Sequence, residues 1–223
     1  MEKRRWDGGR VVKAKIYDCT RRVFPEMAVY PNTPSPEIVW RSSTAQGHRT
    51  NESQLVLGAH TGTHVDAPFH FIADGANLSE FDVSHFYGPC RLIAVSDEVS
   101  VVTKAELESY SPAKGEILLI KTRNSSFSED EPFRKDYVAL DISAGEYLAE
   151  CGVKTIGIDY LSVENPINKS GVHLIILGAG IGIIEGLMLK DVPAGQYFLS
   201  ALPLRVEGVE GSPVRAVLFD FDR

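Results

Sequence analysis

The sequence lacks the features that mark several specialised classes of protein. Its 223 residues include only three cysteines, which lie far apart and form no Cys-x-x-Cys pair, so a reduced chain with separate thiols is expected. No run of about 18 apolar residues is present, so we expect no membrane span. The first residues are charged without an apolar run behind them, which argues against a secretory signal. We therefore expect a cytoplasmic protein.

Positive charge is also scarce. Lys and Arg number 23 against 30 Asp and Glu, a formal net charge of −7 at pH 7, and the basic residues are scattered along the chain. Because such a surface repels nucleic acid on average, we expect no nucleic-acid partner. The length suits one large domain with a sizeable core. We therefore treat residues 1–223 as a single domain.

Short runs rich in β-branched and aromatic residues dominate the chain and predict strands. Only two helices carry start signals: a capping box at Thr103 and Glu106 predicts a helix to about residue 110, and Ser143 opens a second helix that ends at Gly152. The polar segment 123–136 is typical of a long surface loop. Few helices among many strands indicate a strand-rich α/β domain. The predicted strands are 15–19, 37–40, 54–57, 91–95, 116–122, 154–159, 196–202 and 214–219.

Histidine is concentrated in one short segment. Three of the six histidines lie between positions 60 and 70. His60, His64 and Asp66 offer two imidazoles and one carboxylate, a donor set suited to Zn²⁺ or Mn²⁺. On an extended strand, residues four apart are separated by about 13 Å, too far to share one ion. We therefore predict a tight turn at Gly62 that brings the two histidines together. A polar loop with incidental histidines is the alternative.

His70 follows Pro68, which favours an extended conformation at Ala67 and stops any helix there. Asp66 is thereby held beside His64. His70 itself has two candidate roles close to the metal: a fourth ligand, or a general acid or base whose imidazole titrates in the useful range. We favour the acid–base role, with a purely structural histidine as the alternative.

The segment from His60 to His70, His-Thr-Gly-Thr-His-Val-Asp-Ala-Pro-Phe-His, resembles the signature of the cyclase-like metal-dependent hydrolases. This family includes bacterial kynurenine formamidases (arylformamidases) and isatin hydrolases. The resemblance runs from Ile16 to the end of the chain. Further similar segments are Tyr-Pro-Asn-Thr-Pro at 30–34, Asn-Glu-Ser at 51–53, Gly-Pro-Cys-Arg at 88–91, Ile-Gly-Ile-Asp at 156–159, Ile-Glu-Gly at 184–186, and the stretches 201–205 and 212–216.

The resemblance implies a β-rich, mixed α/β domain of the swivelling β/β/α type that assembles into homodimers or tetramers. It assigns His70 the role of catalytic histidine. It also implies one or two metal ions per subunit. The first ion would be held by His60, His64 and Asp66, and the second by Asp66 as a bridge together with His173 and Glu185.

Without the resemblance, the second set of ligands is harder to recognise. His173 lies in the apolar stretch 172–177, where a lone histidine is usually just packed. Glu185 follows two isoleucines and needs a partner if it is buried. Because no Lys or Arg is near either residue in the sequence, a metal ion is a sensible partner for both.

The expected activity is hydrolysis of an amide or formamide bond in a small molecule, with an N-formylkynurenine type of substrate. A cyclic amide of the isatin type is the alternative, because formamidase relatives carry Trp-Pro-Gly-Asp where this chain has Tyr30-Pro31-Asn32-Thr33. A non-catalytic metal-binding relative is disfavoured, since every matched ligand and the catalytic histidine are present.

Two other enzyme classes can be weighed against the sequence. Gly178-Ala-Gly180-Ile-Gly182 has the glycine content of a dinucleotide-binding loop, but its third glycine is one position early and too little chain follows. A tight turn with close packing is the better interpretation. A serine hydrolase is disfavoured because no Gly-x-Ser-x-Gly elbow occurs.

Overall fold

A mixed sheet of ten strands forms the centre of the protein in the computed structural model, which describes residues 3–7, 10–167 and 170–221. The three helices are α1 (Lys104–Glu108), α2 (Ile142–Cys151) and α3 (Val172–Gly178). None of the helices in these ranges is long and apolar enough to cross a membrane. The strands are β1 (Lys3–Asp7), β2 (Arg10–Asp18), β3 (Glu37–Ser42), β4 (Glu52–Val56), β5 (His64–Asp66), β6 (Tyr87–Ala94), β7 (Ile117–Lys121), β8 (Thr155–Ile158), β9 (Gly182–Glu185), β10 (Gly195–Ser200), β11 (Gly211–Pro213) and β12 (Val217–Phe221).

The large sheet has a parallel centre and antiparallel flanks. Its strand order is β1-β2-β12-β10-β6-β7-β8-β9-β5-β11. Strands β6, β7, β8 and β9 are parallel neighbours, whereas every other pairing in the sheet is antiparallel. Strands β3 and β4 form a separate two-stranded sheet. This arrangement confirms the predicted strand-rich α/β class with few helices.

Both faces of the parallel centre are buried. In β7, Ile117 and Leu119 belong to one apolar core, and Leu118 and Ile120 belong to a second core on the opposite face. The second core is covered by the helices, which contribute side chains such as Leu148 to it. A strand that is buried on both faces has a continuous apolar sequence, and this is why β7 is easily recognised.

All eight predicted strands are present, with ends that differ by a few residues. The sequence does not predict β1, β5, β9 or β11. Three of these, β5, β9 and β11, contain only three or four residues. Such short strands offer too few positions for an alternating pattern, and their pairing is decided by tertiary contacts.

The start and stop signals in the sequence identify two of the three described helices. The capping box at Thr103 is present. Helix α2 ends at Gly152 as predicted, but the predicted start at Ser143 is wrong, because the carboxylate of Asp141 accepts the amide hydrogen of Ala144 at 3.0 Å and caps the helix. The sequence does not predict α3, which starts after Gly171 without a side-chain cap.

The glycine-rich segment 178–182 is a connection from α3 to β9. The apolar run before it is therefore a helix, and the segment leads into a strand. A dinucleotide-binding loop has the opposite order, because it follows a strand and opens a helix. The order of elements around this segment is therefore not that of a dinucleotide-binding loop.

Candidate metal centre

The segment from His60 to Asp66 combines a turn with a short strand. Gly62 adopts a left-handed conformation (φ 68°), so the chain turns between the two histidines as predicted. His64 and Asp66 then lie two residues apart on β5, and their side chains point to the same face of the sheet. The turn packs tightly on Gly186, where any side chain would collide with the Gly62 carbonyl oxygen. A glycine is therefore needed at position 186.

Strand pairing brings Glu185 to the same place. Strand β5 pairs antiparallel with β9, and His64 is directly opposite Glu185. His64 Nε2 lies 3.2 Å from Glu185 Oε2. Helix α3, which precedes β9 in the chain, adds His173, whose Nε2 lies 3.2 Å from Glu185 Oε1. On the other side, His60 Nδ1 is 2.9 Å from Asp66 Oδ1.

The structure thus gathers all five proposed ligands in two adjoining groups. The donor atoms within each group lie no more than 4.8 Å from one another, and Asp66 belongs to both groups. Among the described residues, His70 is in neither group. Two metal sites joined by one carboxylate would require such an arrangement. The groups are His60, His64 and Asp66, and Asp66, His173 and Glu185.

The carboxylates of Asp66 and Glu185 are buried close together. Burial raises the pKa of Asp66, but its hydrogen bond with His60 and the charges of the neighbouring histidines together outweigh this and hold the pKa well below its usual range. Burial and the charge of Asp66 raise the pKa of Glu185, but its hydrogen bonds with His173 and His64, together with the charge of His173, outweigh both and lower the pKa. Both groups are therefore anionic at neutral pH. Two buried anions side by side need positive charge around them.

Histidines supply positive charge in the protein chain itself. Burial lowers the pKa of His60, but the hydrogen bond and charge of Asp66 outweigh it and raise the pKa to about 9. Burial likewise opposes the charge on His173, yet hydrogen bonds to Glu164 and Glu185 raise its pKa to about 10. The centre is thus built to hold cationic charge.

Two buried polar atoms show that this centre fits a divalent metal. His64 Nδ1 donates to the Gly62 carbonyl oxygen at 3.0 Å, which leaves Nε2 as the atom with a free lone pair. Neither His64 Nε2 nor Asp66 Oδ2 has a hydrogen-bond partner in the described parts of the chain. Buried acceptors rarely remain unpaired in proteins. Together with the oxygen and nitrogen donors of the two groups, they fit a divalent metal ion.

His70 lies beside the first group without joining it. Ala67 is extended (φ −101°, ψ 161°), as predicted, and Pro68 begins the short 3-10 turn that carries His70. The imidazole ring of His70 stacks on that of His60, with centroids 4.0 Å apart. Burial lowers the pKa of His70. A neutral ring whose nitrogens form no hydrogen bond in the described residues is available to accept a proton.

The histidines and Glu185 form one wall of a cavity of about 340 Å³. This volume suits a small molecule. Phe71, which is 41% exposed, stacks flat on His173 with ring centroids 4.4 Å apart. Tyr30 also lines the cavity and packs edge-on against Phe133. The remaining lining residues are Thr33, Leu161, Ser162 and Glu164.

Residues 17–165 match the model of a protein family described as "Putative cyclase". The protein belongs to this family. A kynurenine formamidase from Bacillus cereus is 37% identical over 204 residues, which cover 90% of this chain and 95% of the relative. A kynurenine formamidase from Salinibacter ruber is 34% identical over 208 residues, which cover 92% and 97% of the two chains.

Solved structures agree with this assignment. A structure described as a potential metal-dependent hydrolase with cyclase activity has a TM-score of 0.82 and 33% identity, and the match covers 94% of this chain and all of the other. An isatin hydrolase bound to the product analogue thioisatinate has a TM-score of 0.81 at 23% identity, over 94% and 93% of the chains. At that identity the second match shows the fold alone. The predicted family and fold are confirmed.

Several residues of this site could not be singled out from the sequence. Phe71, Leu161 and Ser162 carry no signal of their own, because an apolar or hydroxyl residue beside a strand is common. Glu164 lies nine residues from His173, and only the fold brings the two together. Tyr30 is the exception, since it belongs to the Pro-rich turn that carries part of the family resemblance.

Proposed function

We propose that this protein is a metal-dependent hydrolase that cleaves the C–N bond of a small aryl formamide of the N-formylkynurenine type. The observation that carries the proposal is the pair of donor groups that share Asp66 beside a cavity of small-molecule size. The kynurenine formamidases of B. cereus and S. ruber, similar over nine-tenths of this chain, support the choice of substrate.

The two donor groups would hold one ion each, Zn²⁺ or Mn²⁺, because they provide imidazole and carboxylate donors and no thiolate. A bound divalent metal supplies Lewis acidity, which polarises a carbonyl oxygen and lowers the pKa of water toward about 7. His64, through the bond from its Nδ1 to Gly62, directs Nε2 into this centre. Asp66 would contribute to both sites, because its carboxylate lies within reach of the donor atoms of each group.

His70 is the residue placed to move a proton. It stands against His60 at the edge of the first group, and its nitrogens are free of hydrogen bonds within the described chain. Its pKa is lowered by burial, so the ring is neutral at neutral pH and can accept a proton from water. The resulting imidazolium can deliver that proton to the departing nitrogen. Phe71 and Tyr30 provide aromatic surfaces that orient an aryl substrate.

A cyclic amide of the isatin type is the second candidate. Tyr30 and Thr33 line the cavity at the turn where formamidase relatives carry Trp-Pro-Gly-Asp, so the wall that contacts the substrate differs in this chain. The same fold occurs in an isatin hydrolase. Opening a cyclic amide also requires attack on a carbonyl carbon and protonation of nitrogen, which the same residues would perform.

Hydrolysis assays with N-formylkynurenine and isatin, run side by side on zinc-loaded and manganese-loaded protein, test the proposal. We expect faster hydrolysis of the formamide, and loss of activity after chelation that returns when metal is added. Full activity in protein shown to be metal-free would contradict the proposal. Faster hydrolysis of isatin would support the second candidate.

We also propose that the enzyme works in the cytoplasm as a homodimer or tetramer, without a nucleic-acid partner. The net charge of −7 argues against a nucleic-acid partner, and the unpaired cysteines suit a reducing compartment. The oligomer follows from the family resemblance alone. Light scattering on the purified protein measures the assembly directly. A monomer at micromolar concentration would rule out the oligomer.

A further inference from the structure

The histidines of the two donor groups are oriented by different kinds of partner. His64 Nδ1 donates to a backbone carbonyl, that of Gly62. His173 Nδ1 instead contacts a side chain, the Oε2 atom of Glu164, at 3.3 Å. The opposite ring nitrogen of His173, Nε2, is the one that approaches Glu185. A carboxylate therefore stands behind His173 where a peptide group stands behind His64.

Glu164 is held firmly in this position. Its backbone N–H donates to Ser162 Oγ at 3.2 Å, and its carbonyl oxygen accepts a short hydrogen bond from the Tyr137 hydroxyl. The side chain is only 13% exposed, although it reaches the wall of the cavity. No other residue in the described chain forms a hydrogen bond with His173 Nδ1. The backbone of Glu164 is thus anchored, and its carboxylate lies against the His173 ring.

Stacking alone does not decide which edge of the His173 ring faces the donor group. Phe71 lies nearly parallel to the ring, at an interplanar angle of 7°, and so fixes its plane. A ring turned over by 180° would keep that stacking but would exchange the positions of nitrogen and carbon atoms. An acceptor behind Nδ1 selects one of the two orientations, because only a nitrogen can donate to it.

We propose that Glu164 is a positioning residue, which holds the Nδ1–H of His173 so that the Nε2 lone pair points at Glu185 and Asp66. The inference rests on the proposed function, since it concerns the second metal. Carboxylates behind metal-binding histidines fix the ring and make the ligating nitrogen a better donor, and their loss typically costs about 10–100-fold in metal affinity or activity. The second metal therefore depends on Glu164.

Glu210 provides a matched control on the other donor group. Its Oε1 atom lies 3.3 Å from His60 Nε2, nearly the same separation as in the Glu164–His173 pair. The Glu210 side chain is 36% exposed, however, and His60 Nε2 forms no hydrogen bond in the described residues. Both substitutions remove one negative charge next to a candidate ligand. Only the substitution of Glu164 removes a largely buried hydrogen-bond partner of a histidine.

The experiment compares metal binding by wild type, Glu164→Ala, Glu164→Gln and Glu210→Ala, using calorimetric titration with Zn²⁺ and elemental analysis of the loaded protein. We expect two equivalents in wild type, and in Glu164→Ala a loss of about 10–100-fold in affinity for the second equivalent only. Glu164→Gln should recover most of this loss, because an amide oxygen also accepts the Nδ1 hydrogen. Glu210→Ala should bind both ions much as wild type does.

Nitrogen NMR of the zinc-loaded, histidine-labelled proteins adds a readout independent of activity. His173 should show a single protonated Nδ1 in wild type and in Glu164→Gln, and a mixture of ring states in Glu164→Ala. Circular dichroism shows whether each variant is folded, and Glu164→Gln keeps the test valid if Glu164→Ala does not fold.

The results separate this inference from the proposed function. If wild type binds two ions and Glu164→Ala binds both with unchanged affinity, the positioning role is wrong and the hydrolase proposal stands. Equal losses in Glu164→Ala and Glu210→Ala would indicate an unspecific charge effect and also overturn the positioning role. A wild type that binds fewer than two ions would overturn the two-metal site and, with it, the role of Glu164.

Discussion

The two candidate metal groups share one carboxylate but are built in different ways. His60, His64 and Asp66 come from one short segment, and a single turn at Gly62 followed by one strand brings them together. His173 and Glu185 come from a helix and a strand, and they reach Asp66 only because β9 pairs with β5. The first group is therefore a product of local sequence, and the second is a product of tertiary packing.

This difference implies that metal binding by both groups depends more on Asp66 than on any other ligand. It is fully buried, and it is the residue common to both groups. We predict that Asp66→Asn loses both ions, because the amide keeps the shape of the side chain but not the charge that joins the groups. The rate should fall roughly 10³-fold or more, since metal chemistry contributes several kcal/mol. Metal content and kcat/KM of the purified variant measure both effects.

The control for Asp66→Asn is Glu210→Gln, which changes another carboxylate near His60 but lies outside both groups. We expect that variant to keep its metal and most of its activity. One full equivalent of tightly bound metal in Asp66→Asn would show that one group holds an ion without the shared carboxylate. The two groups would then be independent sites.

The comparison also explains how much of the site could be predicted from the sequence. Spacing and donor chemistry identify His60, His64 and Asp66, and the need for two imidazoles to meet leads directly to a turn at Gly62. His70 follows from the proline that separates it from the turn. In each case the decisive interactions lie within a few residues, where backbone geometry restricts the possible arrangements.

His173 and Glu185 could not be derived in the same way. Helix α3 has a glycine at its start and no capping side chain, so its sequence is only an apolar run. Strand β9 has four residues, and nothing in them specifies that β5 is the neighbour. The family resemblance names these residues because it carries tertiary information that local patterns do not contain. The same reasoning applies to Glu164, which no motif in the sequence indicates.

A second prediction separates proton transfer from metal binding in the local group. His70→Ala should keep its metal and its fold but lose roughly 10²–10⁴ in kcat, the usual contribution of a positioned acid or base. The reason is that His70 stacks on His60 without joining either donor group. An activated aryl ester, whose leaving group needs no proton, should be cut by His70→Ala nearly as fast as by wild type.

Comparing formanilide and ester hydrolysis in wild type and His70→Ala, with metal content measured in parallel, tests this role. Loss of metal in proportion to activity would make His70 a ligand. Equal damage on both substrates with the metal retained would indicate that His70 positions the substrate or stabilises charge on its carbonyl oxygen.

A third prediction asks whether the group built by tertiary contacts can be removed alone. His173→Ala should lose the second ion and keep the first, because His60, His64 and Asp66 do not contact helix α3 through hydrogen bonds. We expect a rate loss of roughly 10²-fold, equivalent to about 2.7 kcal/mol of transition-state stabilisation. His60→Ala is the matched variant in the local group. If His173→Ala also empties the first group, the two groups form one cooperative unit.

The last and smallest expected effect is a difference in the protons that the two groups release when metal binds. In the metal-free chain the pKa of His60 is raised to about 9 and that of His173 to about 10. Both histidines are therefore protonated at pH 7.5, and each must lose its proton before it can bind a metal. Metal affinity should consequently rise with pH, up to about pH 9 for the first group and about pH 10 for the second.

Calorimetric titrations with Zn²⁺ in buffers of different ionisation enthalpy measure this proton release. Near pH 9 His60 is half neutral, so the proton it contributes falls to about half its value at pH 7.5, whereas His173 still contributes nearly a full proton. The variant His173→Ala isolates the first group and should show the whole decrease. Identical proton release at pH 7.5 and pH 9 in His173→Ala would mean that the carboxylate of Asp66 does not hold His60 in its charged form. The first group would then differ from the second in how the fold assembles it, but not in the number of protons that it releases on metal binding.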